Sequence, residues 1–124
     1  VNELPLVLRR IGEMSEKYGL KVANVFHAGD GNMHPLILFD ANKPGDLELC
    51  EAFGAEVLKL CVEVGGCLTG EHGVGVEKRD LMLTQYSVDD LEAQMRVKDV
   101  FDPKWLLNAA KVFPLSCSDG RRAK

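Results

Sequence analysis

This 124-residue chain has no CxxC pair, no long uninterrupted apolar run and no strongly basic stripe, and each absence removes a class of function. The four cysteines, Cys50, Cys61, Cys67 and Cys117, are scattered. Such spacing argues against a zinc knuckle, a dithiol redox centre or a disulfide framework, and for reduced thiols in a cytoplasmic setting. The apolar stretches are short and broken by charge, and the first residues lack the basic-then-apolar pattern of a secretory signal. Neither a membrane span nor export is therefore expected. A net charge of -4 with both signs interspersed offers nothing to a phosphate backbone or an anionic membrane, so nucleic acid is not an expected partner. Histidine is scarce too, with three in all, which makes the positions of His27, His34 and His72 informative.

What is present is enough for one ordinary globular domain. The chain is 46% hydrophobic, so it can bury a modest core without cross-links. It opens at Val1 without an initiator Met and enters a helical pattern at once, and is expected to be a fragment. Residues 1–114 are expected to form the functional domain and residues 115–124, with their Ser, Asp, Gly and basic residues, a flexible tail.

Leu4, Leu8, Ile11, Ser15 and Tyr18 recur at helical spacing before Gly19, which predicts a helix over residues 3–18. Leu20 to Phe26 and His34 to Phe39 are rich in Val, Ile, Leu and Phe and flank Asp30-Gly31, which predicts two antiparallel strands joined by a tight turn. After Lys43-Pro44-Gly45, Asp46 is placed to cap a helix carrying Leu49, Phe53, Val57, Leu60 and Val64, stopped at Gly65-Gly66. A short strand is expected through Cys67-Leu68-Thr69, then a glycine-rich segment turning into a helix near Val76. Ser87 and Asp90 resemble a capping box opening a further helix to about Val100, with Pro103 beyond it. Hairpin pairing mixed with helices implies an α+β fold, an antiparallel sheet with helices packed on one face.

The run from Phe26 to His34 carries the chemistry. With a two-residue turn at Asp30-Gly31, Gly29 pairs with Asn32, Ala28 with Met33, and His27 falls opposite His34. Opposed side chains have Cβ atoms about 5 Å apart, and two imidazoles so placed can share a divalent cation at about 2.1 Å from each nitrogen. The third histidine lies in Thr69-Gly70-Glu71-His72-Gly73, where neighbours on an extended chain point to opposite sides. Glu71 then joins the two imidazoles while His72 faces a substrate, or the reverse. Two histidines and a carboxylate leave coordination positions open, which marks a catalytic ion; zinc, manganese and iron all suit such a set. If His72 is not a ligand, its imidazole is the natural general base. Other signals are weaker. Gly29-Asp30-Gly31 lacks the third glycine of a dinucleotide fingerprint, Gly70 to Lys78 lacks the end of a phosphate loop, and Glu71-His72 has no second histidine four positions away. Lys78 and Arg79 read as a solvated face.

Three motifs in order then resemble one family. His27-Ala28-Gly29-Asp30-Gly31-Asn32-Met33-His34-Pro35, Gly70-Glu71-His72-Gly73-Val74-Gly75, and Phe101-Asp102-Pro103 with Leu106-Leu107-Asn108 and Lys111-Val112-Phe113-Pro114 look like the C-terminal domain of FAD-linked oxidases, of the glycolate oxidase D subunit and D-2-hydroxy-acid dehydrogenase type. The resemblance implies half of a ferredoxin-like domain, with His27, His34 and Glu71 as metal ligands, Asn32 orienting the substrate, His72 as catalytic base and Asn108 at the flavin edge. It implies a small 2-hydroxy acid as substrate, glycolate or D-lactate, with FAD held mainly by a domain absent from this chain and electrons passed on to electron-transfer subunits. The fragment alone is then inactive, and an exposed apolar face is expected where the flavin domain docks, open to self-association. Ala109-Ala110 stand where the family usually writes Pro-Gly, which loosens the expected turn. The competing expectation is a free-standing metal-binding or assembly module without redox activity.

Overall fold

The computed structural model describes residues 1–122. It comprises two compact units, one from Val1 to Gly66 and one beginning at Cys67. The first unit contains helix α1 (Leu4–Tyr18), strands β1 (Lys21–His27) and β2 (Asn32–Leu38), and helix α2 (Asp46–Glu63). The second contains a 3₁₀ turn (Arg79–Leu81), a short helix α3 (Met82–Gln85), and helices α4 (Val88–Phe101) and α5 (Leu115–Arg122). Among the described residues no helix is long and apolar enough to cross a membrane.

In the first unit α1 buries Val7, Ile11 and Met14, one helical face, against Phe53, Val57 and Leu60 of α2, with Leu20 closing the cluster. The expected stripe of Leu4, Leu8, Ile11, Ser15 and Tyr18 is thus rotated, with Val7 and Met14 replacing Leu8 and Ser15 at the centre. Ser15 instead donates to the Leu20 carbonyl at 2.6 Å, helping to turn the chain from α1 into β1. The Tyr18 ring stacks on Phe53 at 5.3 Å, and its hydroxyl donates to Glu56. β1 and β2 form a two-stranded antiparallel sheet. Val22, Met33 and Ile37 on one of its faces pack against the helical cluster. A two-stranded ribbon is marginal alone and needs such backing. Gly45, not Asp46, is the N-cap of α2. The Asp46 carboxylate is turned back to Lys43, 2.8 Å away, and to the Asp40 N–H. At the far end the Gly66 N–H donates to the Cys61 carbonyl at 2.8 Å, and a Cβ on Gly66 would meet that same oxygen at 2.8 Å, so only glycine fits.

In the second unit the expected strand at Cys67-Leu68-Thr69 is absent. The Leu68 N–H is taken by the Gln85 side chain at 2.8 Å, which leaves no ladder for it to join. Nor does a helix begin near Val76; residues 75–78 form turns leading into the 3₁₀ segment. The capping box opening α4 is present, Ser87 Oγ accepting from the Asp90 N–H and Asp90 from the Ser87 N–H. Residues 115–122, expected to be loose, form α5. Its Ser118 is buried, and Arg121 is tied to Glu92 and Asp99 of α4, partners whose sequence distance hid them. The last two residues of the expected tail lie outside the described residues.

Asp102 closes α4 and organises the segment beyond it. Its buried carboxylate accepts from Lys98 Nζ at 2.8 Å and from the Leu106 and Leu107 N–H groups at 3.0 Å each. The Lys98 ammonium holds the Asp102 carboxyl below its usual range, aided by both N–H groups and opposed by burial. The stabilisation is therefore complete above the ordinary aspartate value of about 3.9 and is lost as pH falls through the lower folded value. Asp102→Asn is expected to lower Tm at neutral pH, with the gap to the parent narrowing in acid. Thermal melts across pH check this, and an equal gap at every pH would contradict it. Phe53→Ala is expected to cost about 3–5 kcal/mol in denaturant unfolding, as its site is fully enclosed.

Candidate functional site

The β1–β2 connection spans residues 28–31, two residues longer than the expected turn. The Asp30 N–H donates to the His27 carbonyl at 3.0 Å, and Gly31, at φ 70°, returns the chain. The register moves accordingly: His27 pairs with Asn32 and His34 with Val25, so His27 and His34 are diagonal rather than opposed. A shift of two residues keeps every side chain on its face, since the strand period is two. His27, Asn32 and His34 thus share one face of the hairpin.

On that face the His27 and His34 rings lie 5.5 Å apart between centroids, nearly perpendicular at 84°. Each offers a ring nitrogen within 4.8 Å of the other's. Nitrogens bound to one ion at about 2.1 Å are themselves roughly 3–4 Å apart, so small side-chain rotations suffice for the pair to chelate a cation. His27 is exposed and His34 and Asn32 are half-buried, which leaves the pair open to solvent on one side. Beyond it the same face presents Val25, Leu36 and Leu38, each more than half exposed at 56%, 52% and 57%. This is an exposed apolar face of the kind expected, continuous with the histidines.

Glu71 and His72 belong to the second unit, in a segment of bends and turns. Their side chains do not point to opposite sides as on an extended strand. The His72 Nε2 approaches Glu71 Oε1 at 3.7 Å, and both are exposed. The Gly73 N–H donating to Thr69 Oγ1 at 2.8 Å, with φ 81° at Gly73, curls the loop and turns the two groups together.

Asn108 sits on an exposed loop in which four non-glycine residues have left-handed backbone, Trp105 (φ 52°), Asn108 (49°), Ala110 (61°) and Val112 (71°). Asparagine accepts this conformation readily; for the other three it costs about 1–2 kcal/mol each. The Lys111 N–H donates to the Asn108 carbonyl at 3.2 Å, closing a turn across Ala109-Ala110 in which Ala110 is held where glycine would be at ease. Sequence reasoning missed what holds it. Arg79, taken for a solvated residue, has a side chain only 15% exposed and donates from Nη1 to the Ala110 carbonyl at 2.7 Å. Its partner lies 31 residues away, so no local pattern reveals the bond.

A family model described as FAD linked oxidases, C-terminal domain, matches residues 1–112. The chain belongs to that family. It is 55% identical over 90% of its length to glycolate oxidase subunit GlcD of Escherichia coli, of which it covers 22%. It is 37% identical over 84% of its length to D-lactate dehydrogenase of Archaeoglobus fulgidus, covering 23% of it. To the mitochondrial D-lactate dehydrogenase [cytochrome] of Kluyveromyces lactis it is 33% identical over 91% of its length, covering 19%. The chain thus spans about a fifth of the length of these relatives.

The hairpin loop supplies a direct test of the geometry. Gly31→Ala is expected to cost about 1–2 kcal/mol, the penalty of a left-handed alanine. Gly29→Ala, which has open space around its Cβ and no left-handed backbone, should cost less. Urea unfolding of the two variants separates them; equal losses would mean that the turn is not as described.

Proposed function

We propose that this chain is the C-terminal part of a FAD-dependent 2-hydroxy-acid dehydrogenase, oxidising glycolate or D-lactate, and supplies the metal and general-base side of its active site. The observation that carries the reading is the His27–His34 pair, two imidazoles within chelating reach on the solvent side of a hairpin, in a chain of this family. The relatives' names point to the two substrates.

The donor set fits a divalent cation. His27 and His34 are its ligands, with Glu71 as the carboxylate that completes the set, and zinc, manganese and iron are all suited to two nitrogens and an oxygen. Asn32, on the same face as both histidines, donates its amide to the substrate and orients it. His72 takes the proton of the substrate hydroxyl. For the flavin the chain offers only an edge. Gly29-Asp30-Gly31 is a hairpin turn rather than a phosphate cradle, whereas the exposed Asn108 amide lies outside any strand or helix and fits a contact with a flat polar ring edge. When bound, the cation polarises the substrate oxygens and FAD supplies the electron acceptor.

In this reading the chain forms half of a ferredoxin-like domain. FAD is held mainly by a domain that this chain does not contain, electron-transfer subunits accept the electrons, and the chain alone is inactive. The apolar face around Val25, Leu36 and Leu38 meets the flavin-bearing part or, without it, a second copy.

Metal content by mass spectrometry, on the purified chain and on the His27→Ala, His34→Ala double variant, tests the proposal. About one divalent ion per chain, lost in the variant, is the expected result. Ion retained by the variant would show that other residues bind it, and no ion in the parent even after incubation with zinc or manganese would count against the reading.

A further inference from the structure

Left-handed backbone at three residues other than asparagine within one short loop does not persist without restraint, and the restraints are identifiable. Trp105 is buried, with its ring NH donating to Asp99 at 2.6 Å, and its ring meets Phe113 at 5.8 Å. The Val112 N–H donates to the Gly75 carbonyl at 2.8 Å, which anchors the far end. Between them Ala110 has no side chain with which to hold itself, and its carbonyl receives the Arg79 guanidinium. The same guanidinium is braced through Nε by Asp80 at 3.3 Å. The loop is thus tied at both ends and once near its crown, two residues from Asn108.

We propose that Arg79 is the positioning residue of the 105–112 loop, its bond to the Ala110 carbonyl stabilising the left-handed turn that presents the Asn108 side chain. The functional sense of this rests on the flavin-edge role proposed for Asn108. Arg79 itself touches no reacting group; it acts through the backbone. A planar guanidinium is suited to the task, because one nitrogen binds the carbonyl while another is fixed by Asp80, and a lysine ammonium cannot divide itself in this way with the same rigidity. Arg79 also ties the glycine-rich segment to the loop, since Gly75 and Arg79 bind the two sides of the same turn.

Amide hydrogen exchange and side-chain resonances of the isotopically labelled full chain test the proposal without flavin, so its outcome is separable from that of the flavin reading. Arg79→Ala is expected to speed exchange at Val112 by about tenfold or more, the worth of a charge-assisted bond, and to move the Asn108 side-chain resonances. Exchange at Leu91 and Met95, in the core of α4, should be unchanged. Adding Ala110→Gly to Arg79→Ala should restore part of the protection, because glycine adopts the turn without a latch, and Arg79→Lys should fall between. Unchanged Val112 exchange in Arg79→Ala would overturn the proposal, as would a rise shared equally by α4 or a failure of Ala110→Gly to restore anything. If Arg79→Ala does not fold, the single Ala110→Gly variant still decides: slower exchange at Val112 supports a strained, latched turn, and no change refutes it.

Discussion

Two imidazoles can share an ion only if the backbone carrying them keeps both on one side of a surface, and in this chain the alternation of a β-strand imposes that condition. β1 and β2 show one face to the helical cluster through Val22, Met33 and Ile37, and the opposite face carries His27, Asn32 and His34. Burial of the first set therefore fixes the exposure of the second. A slip of one residue would send the histidines into the core and Met33 and Ile37 into water, so the hydrophobic packing of α1 and α2 guards the polar site. Phe53, stacked under Tyr18 and fully enclosed, is the centre of that packing.

The second unit solves a different problem, the ordering of a segment with no regular structure of its own. The Asp102 carboxylate satisfies two N–H groups just past the end of α4 and the Lys98 ammonium on its last turn, so the chain leaves the helix in one defined direction. The Lys98 ammonium and the Arg121 guanidinium lie over the Trp105 ring, at 5.2 and 6.0 Å from its centre, and α5 is held against α4 through the same arginine. Charge and ring contacts here add to the burial of Leu91, Met95, Trp105 and Phe113. The left-handed backbone at Trp105, Asn108, Ala110 and Val112 is tolerable because the loop is held on both sides.

The match of residues 1–112 to one family agrees with the order in which the three motifs occur, and those motifs are short because each depends on special backbone or chemistry. The hairpin histidines were legible in that way, as was the capping box at Ser87, because each signal lies within a few residues of chain. The register of the hairpin was legible only to within two residues. Asp30-Gly31 is compatible with a two-residue turn, and nothing local says that Ala28 and Gly29 leave the ladder as well. The expected strand at Cys67 failed for a related reason. A β-favouring run needs a partner edge, and Gln85 had already taken the Leu68 N–H.

By itself the sequence determined the amphipathic helices, the two strands, the shared face of His27 and His34 and the family to which the chain belongs. All of these come from periodicity or from residues close together along the chain. Only the tertiary structure decided which face of α1 is buried, that Arg121 ties residues 115–122 to α4 as a helix, and that Arg79 holds the Ala110 turn. Each of these depends on a partner beyond the reach of local pattern, selected by packing and by the need of buried polar groups to find one another.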